Sequence, residues 1–360
     1  MKTNKKHNLL ICKRLPNRTP RRGLTLTEIL AAVFVLSFGL VAAMTVLPFA
    51  TFQLNRMNIA DSSGACGRGG LQQIRIAEWQ KPDVLNVPPT WSGGFPADPY
   101  IVDPLGMFNS AALLPPQSPQ SFPYNATSGT DLWTFTLNGL DAATVNHHFR
   151  WGDDTIFAPG KNSERPTFVE RNDGSFVEQT AGLYTWLYMV TPIIDPQAVV
   201  SRVGTDIATT LSDGVLGYEV ASVVFHRRDT APDATDPYQP IRRVNLSGTP
   251  TINTTGAYIT LQSSDAENLD LSSIKWILLT GQSQAMFDSS VTGGTLNAQW
   301  YRVTGYDDIQ SVGGNNYERR VFLVGPDWKG AKDATGNPLG SVYAILCDGV
   351  VNVFQATMPK

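Results

Sequence analysis

The chain has 360 residues, enough for one large domain or two modest ones, and 42% hydrophobic against 16% charged residues excludes extended disorder. The formal charge of −3 is unevenly spread: residues 1–23 carry eight basic side chains and no acid, leaving 20 basic against 31 acidic residues after them, a balance of −11. A body that acidic has no broad electrostatic footprint for nucleic acid, so no nucleic-acid partner is expected.

Taken in chain order, the basic head leads into Ile29 to Leu47, a run interrupted only by Ser37, Gly39 and Thr45. At about 1.5 Å per residue, a helix of this run covers roughly 28 Å, close to the hydrocarbon thickness of a bilayer. The run is longer than a typical signal-peptide core, which argues against cleavage near Ala43. The expectation is a single span over 24–52. The Lys and Arg excess before it keeps the N-terminus cytoplasmic and exports the chain beyond the span.

Glu28 sits where such a segment has least use for a charge. In isolation it reads as a tolerated interfacial acid. The run Arg22-Gly23-Leu24-Thr25-Leu26-Thr27-Glu28, followed at once by the apolar helix, resembles the cleavage and methylation site of type IV prepilins and type II secretion pseudopilins. That resemblance implies a basic leader over 1–23, cut after Gly23 by a prepilin peptidase, and N-methylation of Leu24. The first mature residue in that family is usually Phe, and here it is Leu24. The resemblance further implies that Glu28 acts in filament assembly. In a bundle of parallel helices it would neutralise the N-terminal amine of a neighbouring subunit and so fix the axial stagger. The implied partners are the peptidase, other pilin or pseudopilin subunits, an inner-membrane assembly platform and secreted cargo. The implied location is the inner membrane, with the C-terminal part in the periplasm. A mature length of 337 residues suits a minor subunit better than a bulk one. The competing reading is a membrane-anchored periplasmic binding domain or enzyme that does not polymerise.

A polar helical stem is expected over 53–81. Pro48 should end or kink the span before it, and Gly64, Gly67, Gly69 and Gly70 should break the stem, acting as a joint or as a site of close helix packing. Residues 82–130 form a Pro-rich wrapping segment. Ten prolines between Pro82 and Pro123 argue against a helix or an inner strand. From 131 to 360 the pattern is β-rich: "LWTFTL", "GLYTWLYMV", "YEVASVVFH", "AYITLQ", "IKWILLTG", "AQWYRVTGY", "ERRVFLVG" and "SVYAILCDGVVNVFQATM" read as strands between turn residues. Trp300, Arg302 and Thr304 alternate with Tyr301 and Val303, as for a strand with one buried face. A short helix is expected around Asp195 to Val203. The fold class is therefore α+β. A long N-terminal helix with a membrane half and a polar half leads into a mainly antiparallel sheet domain, a pilin-like layout.

The chain offers little catalytic chemistry, and it is read as a non-enzyme. His147 and His148 with Asp153 and Asp154 form the nearest approach to a metal cluster, but adjacent histidines on a strand point apart and a solvated loop is expected. His226, followed by Arg227, Arg228 and Asp229, reads as a surface salt-bridge cluster. No G-x-S-x-G and no phosphate-binding loop occurs. Asp327, Asp333 and Asn337 offer oxygen ligands without EF-hand spacing, a weak candidate for calcium, and no other cofactor is expected. Cys66 and Cys347 lie on the exported side. A disulfide between them is permitted there, and two unpaired thiols are the expected state.

Overall fold

The computed structural model describes residues 25–86, 98–109, 120–123, 132–140, 144–145, 148–149, 168–170, 176–178, 184–194, 215–226, 228, 240–248, 250–253, 256–282, 296–314, 316–328 and 342–360. The chain divides into two units, Met1–Met57 and Asn58–Lys360. Helix α1, Leu26–Ala77, supplies the described part of the first unit and opens the second.

In the first unit the helix is apolar all round. Phe34, Leu36, Phe38, Val41, Met44, Leu47, Phe49 and Leu54 are all exposed, and no face is reserved for a core. Its hydroxyls turn inward on their own backbone: Ser37 Oγ donates to the Val33 carbonyl at 2.7 Å and Thr45 Oγ1 to that of Ala42 at 2.8 Å. Self-satisfied hydroxyls are what allow polar residues in such a segment. Of the two outcomes expected at Pro48, an end does not occur, and the helix passes through it.

In the second unit the same helix becomes one-sided. Ser63, Gly67, Gly70 and Ile74 repeat at steps of four, three and four residues and are buried together with Gly64 and Cys66. The expected glycine break does not occur, because the glycines are the contact face. A Cβ on Gly67 would stand inside the Phe354 ring, and one on Gly70 would lie 3.0 Å from Trp186 and 3.1 Å from Ser222 Oγ. Each glycine gives up about 1 kcal/mol of helix propensity, which the close seat on aromatic side chains offsets. The helix stops at Glu78, whose positive φ of 56° lets the Trp79 N–H reach the Ile74 carbonyl at 3.0 Å, a Schellman-type closure.

The seat is a six-stranded sheet in the order β16 (Val350–Pro359), β7 (Val215–His226), β6 (Tyr184–Ile194), β1 (Tyr100–Val102), β3 (Leu132–Phe135), β2 (Gln120–Phe122). Its pairs are antiparallel except β1 with β3. Along β6, Tyr184, Trp186, Tyr188 and Val190 join Cys66 and Ile74 in one core, while Leu187 and Met189 face the other way into a second. The Pro-rich segment thus contributes an inner strand after all. Tyr100–Val102 is free of proline and wholly buried between β6 and β3, with the prolines confined to its flanks. A short helix, α2 (Pro104–Asn109), follows it. Two short strands, β4 (Phe168–Glu170) and β5 (Phe176–Glu178), pair only with each other.

The remaining strands are β8 (Ile241–Leu246), β9 (Thr251–Asn253), β10 (Gly256–Ser263), β11 (Trp276–Gln282), β12 (Leu296–Tyr306), β13 (Gln310–Gly313), β14 (Asn316–Val324) and β15 (Tyr343–Cys347). They run in the order β13-β14-β12-β11-β15-β8-β10-β9, and β10 also pairs with β14, from Tyr258 opposite Phe322 to Ser263 opposite Tyr317. That pairing closes six strands into a barrel and removes their edges. Ile259, Leu261, Ile277, Leu279, Tyr301, Val321 and Leu323 fill its interior. The expectation of an α+β chain with a long apolar helix and a mainly antiparallel β-rich part is met. The pilin-like layout is not: beyond the sheet under the helix lies a closed barrel.

The outward residues Leu278, Ala298, Trp300, Ile345 and Cys347 of the barrel pack on the back of the six-stranded sheet. This corrects the reading of β12 as a strand with one buried face. Trp300 and Tyr301 are both buried, one against the sheet and one inside the barrel, and only from Arg302 onward does the outer face meet solvent. A strand that serves two cores loses its alternation.

Candidate functional site at the start of the apolar helix

Gly23 and Leu24 lie outside the described residues. Glu28 lies within them, in the first turn of α1. Thr25 precedes the first helical residue, and its backbone N–H donates to Glu28 Oε2 at 2.9 Å. Its hydroxyl donates to the same oxygen at 3.0 Å, and the Glu28 N–H lies 3.4 Å from Thr25 Oγ1. A Thr at the cap and a Glu three residues on, each satisfying the other's backbone donor, form a capping box. This role was missed in the sequence, although T-x-x-E before an apolar run is its signature.

The box engages one carboxylate oxygen. Glu28 Oε1 makes no hydrogen bond, the side chain is exposed, and no described Lys or Arg forms an ion pair with it. From Ile29 to Asn55 the chain carries no charge at all. The helix holds 2.5 as the mean hydropathy of its most apolar window, and it is the one described helix long and apolar enough to cross a membrane. The site is therefore a single anion at the positive end of a helix, presented at the edge of an unsheltered apolar surface. It is suited to receiving a cation.

The other sequence candidates are dispersed. His148 is half-buried rather than solvated. It hydrogen-bonds Gln73 and stands edge-on to Trp79 at 5.8 Å, while its carbonyl accepts from Trp186 Nε1 at 3.0 Å. His147, Asp153, Asp154 and the helix expected around Asp195 to Val203 lie outside the described residues. The surface cluster expected after His226 is corrected at Arg228. Its side chain is 2% exposed and pairs with the fully buried Asp103, while stacking 4.6 Å over the Phe225 ring. The partner is 125 residues away in the chain, beyond the reach of any local pattern.

Cys66 and Cys347 are both buried, in cores on opposite faces of the six-stranded sheet, and no disulfide joins them. Burial pushes the Cys347 thiol up to about 12, which leaves it inert. Asp327 is exposed, Asp333 and Asn337 are outside the described residues, and no group of three metal-ligating side chains gathers among the described ones.

No family model, curated protein or solved structure matches the chain. Its functional reading therefore rests on the residues themselves.

Proposed function

We propose that the chain is a pilin-like subunit, of the minor kind. It would be processed after Gly23 by a prepilin peptidase, anchored in the inner membrane by its apolar helix, and assembled into a type IV pilus or a type II secretion pseudopilus. The observation that carries this reading is the lone carboxylate of Glu28, with one oxygen unused, at the head of 27 uncharged residues, nearly all of them exposed. Exposed apolar surface on every side of a helix calls for lipid or for other helices. An anion placed where a neighbour's N-terminal amine would arrive selects among the ways those helices can stack.

Two measurements test it. The N-terminus of the protein in membranes of its own host, read by mass spectrometry, should begin at Leu24. A start at Met1 or near Ala43 sinks the proposal. Replacing Glu28 by Ala should abolish incorporation into filaments while leaving the protein in the membrane.

A second reading is favoured by a specific observation. The capping box gives Glu28 a purely local task, and a plain membrane anchor for a periplasmic domain would have use for it. Glu28→Gln separates the two readings, because Gln completes a capping box but carries no charge.

A further inference from the structure

Outside the apolar helix, exposed large hydrophobic side chains concentrate on one sector of the barrel. On the outer wall of β10, β14 and β12, Tyr258 stands directly opposite Phe322, and Phe322 opposite Gly305. Tyr258 and Phe322 are each 39% exposed, and Val324, next on the same face, is 59% exposed. Gly305 leaves the wall low beside Phe322, whose ring lies 3.8 Å from where a Cβ would sit.

Two arginines bracket these side chains. Arg302 pairs across the strands with Val324, and Arg320 with Thr260. Four residues of β14 separate the two rows, about 13 Å. Both arginines are exposed, and neither forms an ion pair among the described residues. Arg320 lies 5.3 Å over the Tyr258 ring, and Glu318, two residues along, is turned to Gln262 instead. Tyr, Phe and Arg around an apolar centre are the composition of an interface core.

The geometry points to this outer face of β10–β14–β12 as a contact for the acidic surface of a second copy of the chain, an inference that rests on the filament reading. The charge pattern carries the choice. After residue 23 the chain has 31 acidic against 20 basic residues, so the remainder of a second copy offers a net-acidic complement to a cationic island. The island does not complement itself, since laying it on its own copy would confront four guanidinium groups. The contact is thus heterologous, head to tail, the type that propagates instead of closing a two-fold dimer.

The test is sedimentation of the full chain in detergent micelles, at about 0.01 M and about 1 M salt, where screening lengths are roughly 30 and 3 Å. The expected result is self-association at low salt that weakens at high salt. The double variant Arg302→Glu with Arg320→Glu should weaken it at least tenfold, as should Phe322→Ser. Leu216→Ser, which removes a still more exposed side chain from β7, should leave it unchanged. The same salt-sensitive association should persist in Glu28→Ala, because it is made by barrels and not by the apolar helix. Loss of filament incorporation in Glu28→Ala reports on the filament reading alone. Absence of low-salt association, or association equal in the wild type and the charge-reversed variant, overturns the barrel contact whatever Glu28 does.

Discussion

Two of the described carboxylates stand in apolar surroundings, and the molecule treats them in opposite ways. Asp103 is completely buried beside the six-stranded sheet, and Arg228 is brought from 125 residues away to pair with it. Glu28 stands at the head of the apolar helix with only Thr25 for company and one oxygen unused. One acid is neutralised within the fold by a distant cation, and the other is held only by its own helix turn. Glycine repeats the contrast. Gly39 has nothing within 4 Å of an added Cβ, whereas Gly67 is pressed on Phe354.

The largest expected effect tests the buried side of that contrast. Arg228→Ala removes the guanidinium paired with the buried Asp103 and should cost about 3–5 kcal/mol, read as a shift in the denaturant midpoint. Replacing both partners by apolar residues, Asp103→Leu with Arg228→Met, should recover most of the loss. A cost below about 1 kcal/mol for Arg228→Ala would mean that the pair is not sequestered, and the contrast with Glu28 would collapse.

A third carboxylate falls between the extremes. Asp98 leads into β1 and accepts from the Leu296 N–H at the start of β12, so it ties the six-stranded sheet to the barrel. Burial pushes its pKa up from 3.8 to about 6, against the pull of that hydrogen bond. The folded state therefore holds a proton that the unfolded chain has released between about pH 4 and pH 6. The contribution of Asp98 to stability is fully present below about pH 4 and is lost as pH rises through about 6, by about 3 kcal/mol in all. Asp98→Asn keeps an acceptor for Leu296 and removes the titration. Its melting temperature should be flat across that window and exceed the wild type's at about pH 7.

Next in size is the seat of the helix. Gly67→Ala gains up to about 1 kcal/mol of helix propensity but forces the Phe354 ring aside, for a net loss of roughly 1–2 kcal/mol. Gly39→Ala should leave the unfolding of the β-rich unit unmoved. Equal effects at both positions would show that the inner half of α1 is not seated on the sheet.

What could be read in the sequence was whatever a short window encodes. The apolar run, the strands and the basic head declare themselves by period and charge within a few turns or a single strand. Closure of the barrel depends on β10 meeting β14, which lie far apart in the chain, and no local pattern records that. The same holds for Asp103 with Arg228. Trp300 and Tyr301 misled because alternation marks a strand with one wet face, and β12 has two dry ones over its first half. The glycines of the stem misled because their helix cost is local while the packing that offsets it comes from Phe354 and Trp186, far along the chain. The capping box at Thr25 and Glu28 was legible. It went unread because the same residues also fit a more specific motif.

That overlap sets the smallest perturbation against the sharpest question. Glu28→Gln barely alters the isolated chain. The amide oxygen still accepts from the Thr25 N–H and hydroxyl, so amide-exchange protection in the first turn of α1 should match the wild type, while Glu28→Ala should expose that turn. Incorporation into filaments should respond differently. If the carboxylate neutralises a neighbour's amine, Gln fails as completely as Ala, because a neutral amide leaves that cation uncompensated among apolar helices. If the carboxylate only caps its own helix, Gln behaves as the wild type in both assays. A variant with an intact first turn and no incorporation isolates the charge of Glu28 from its geometry, and only a partner outside this chain can make that charge matter.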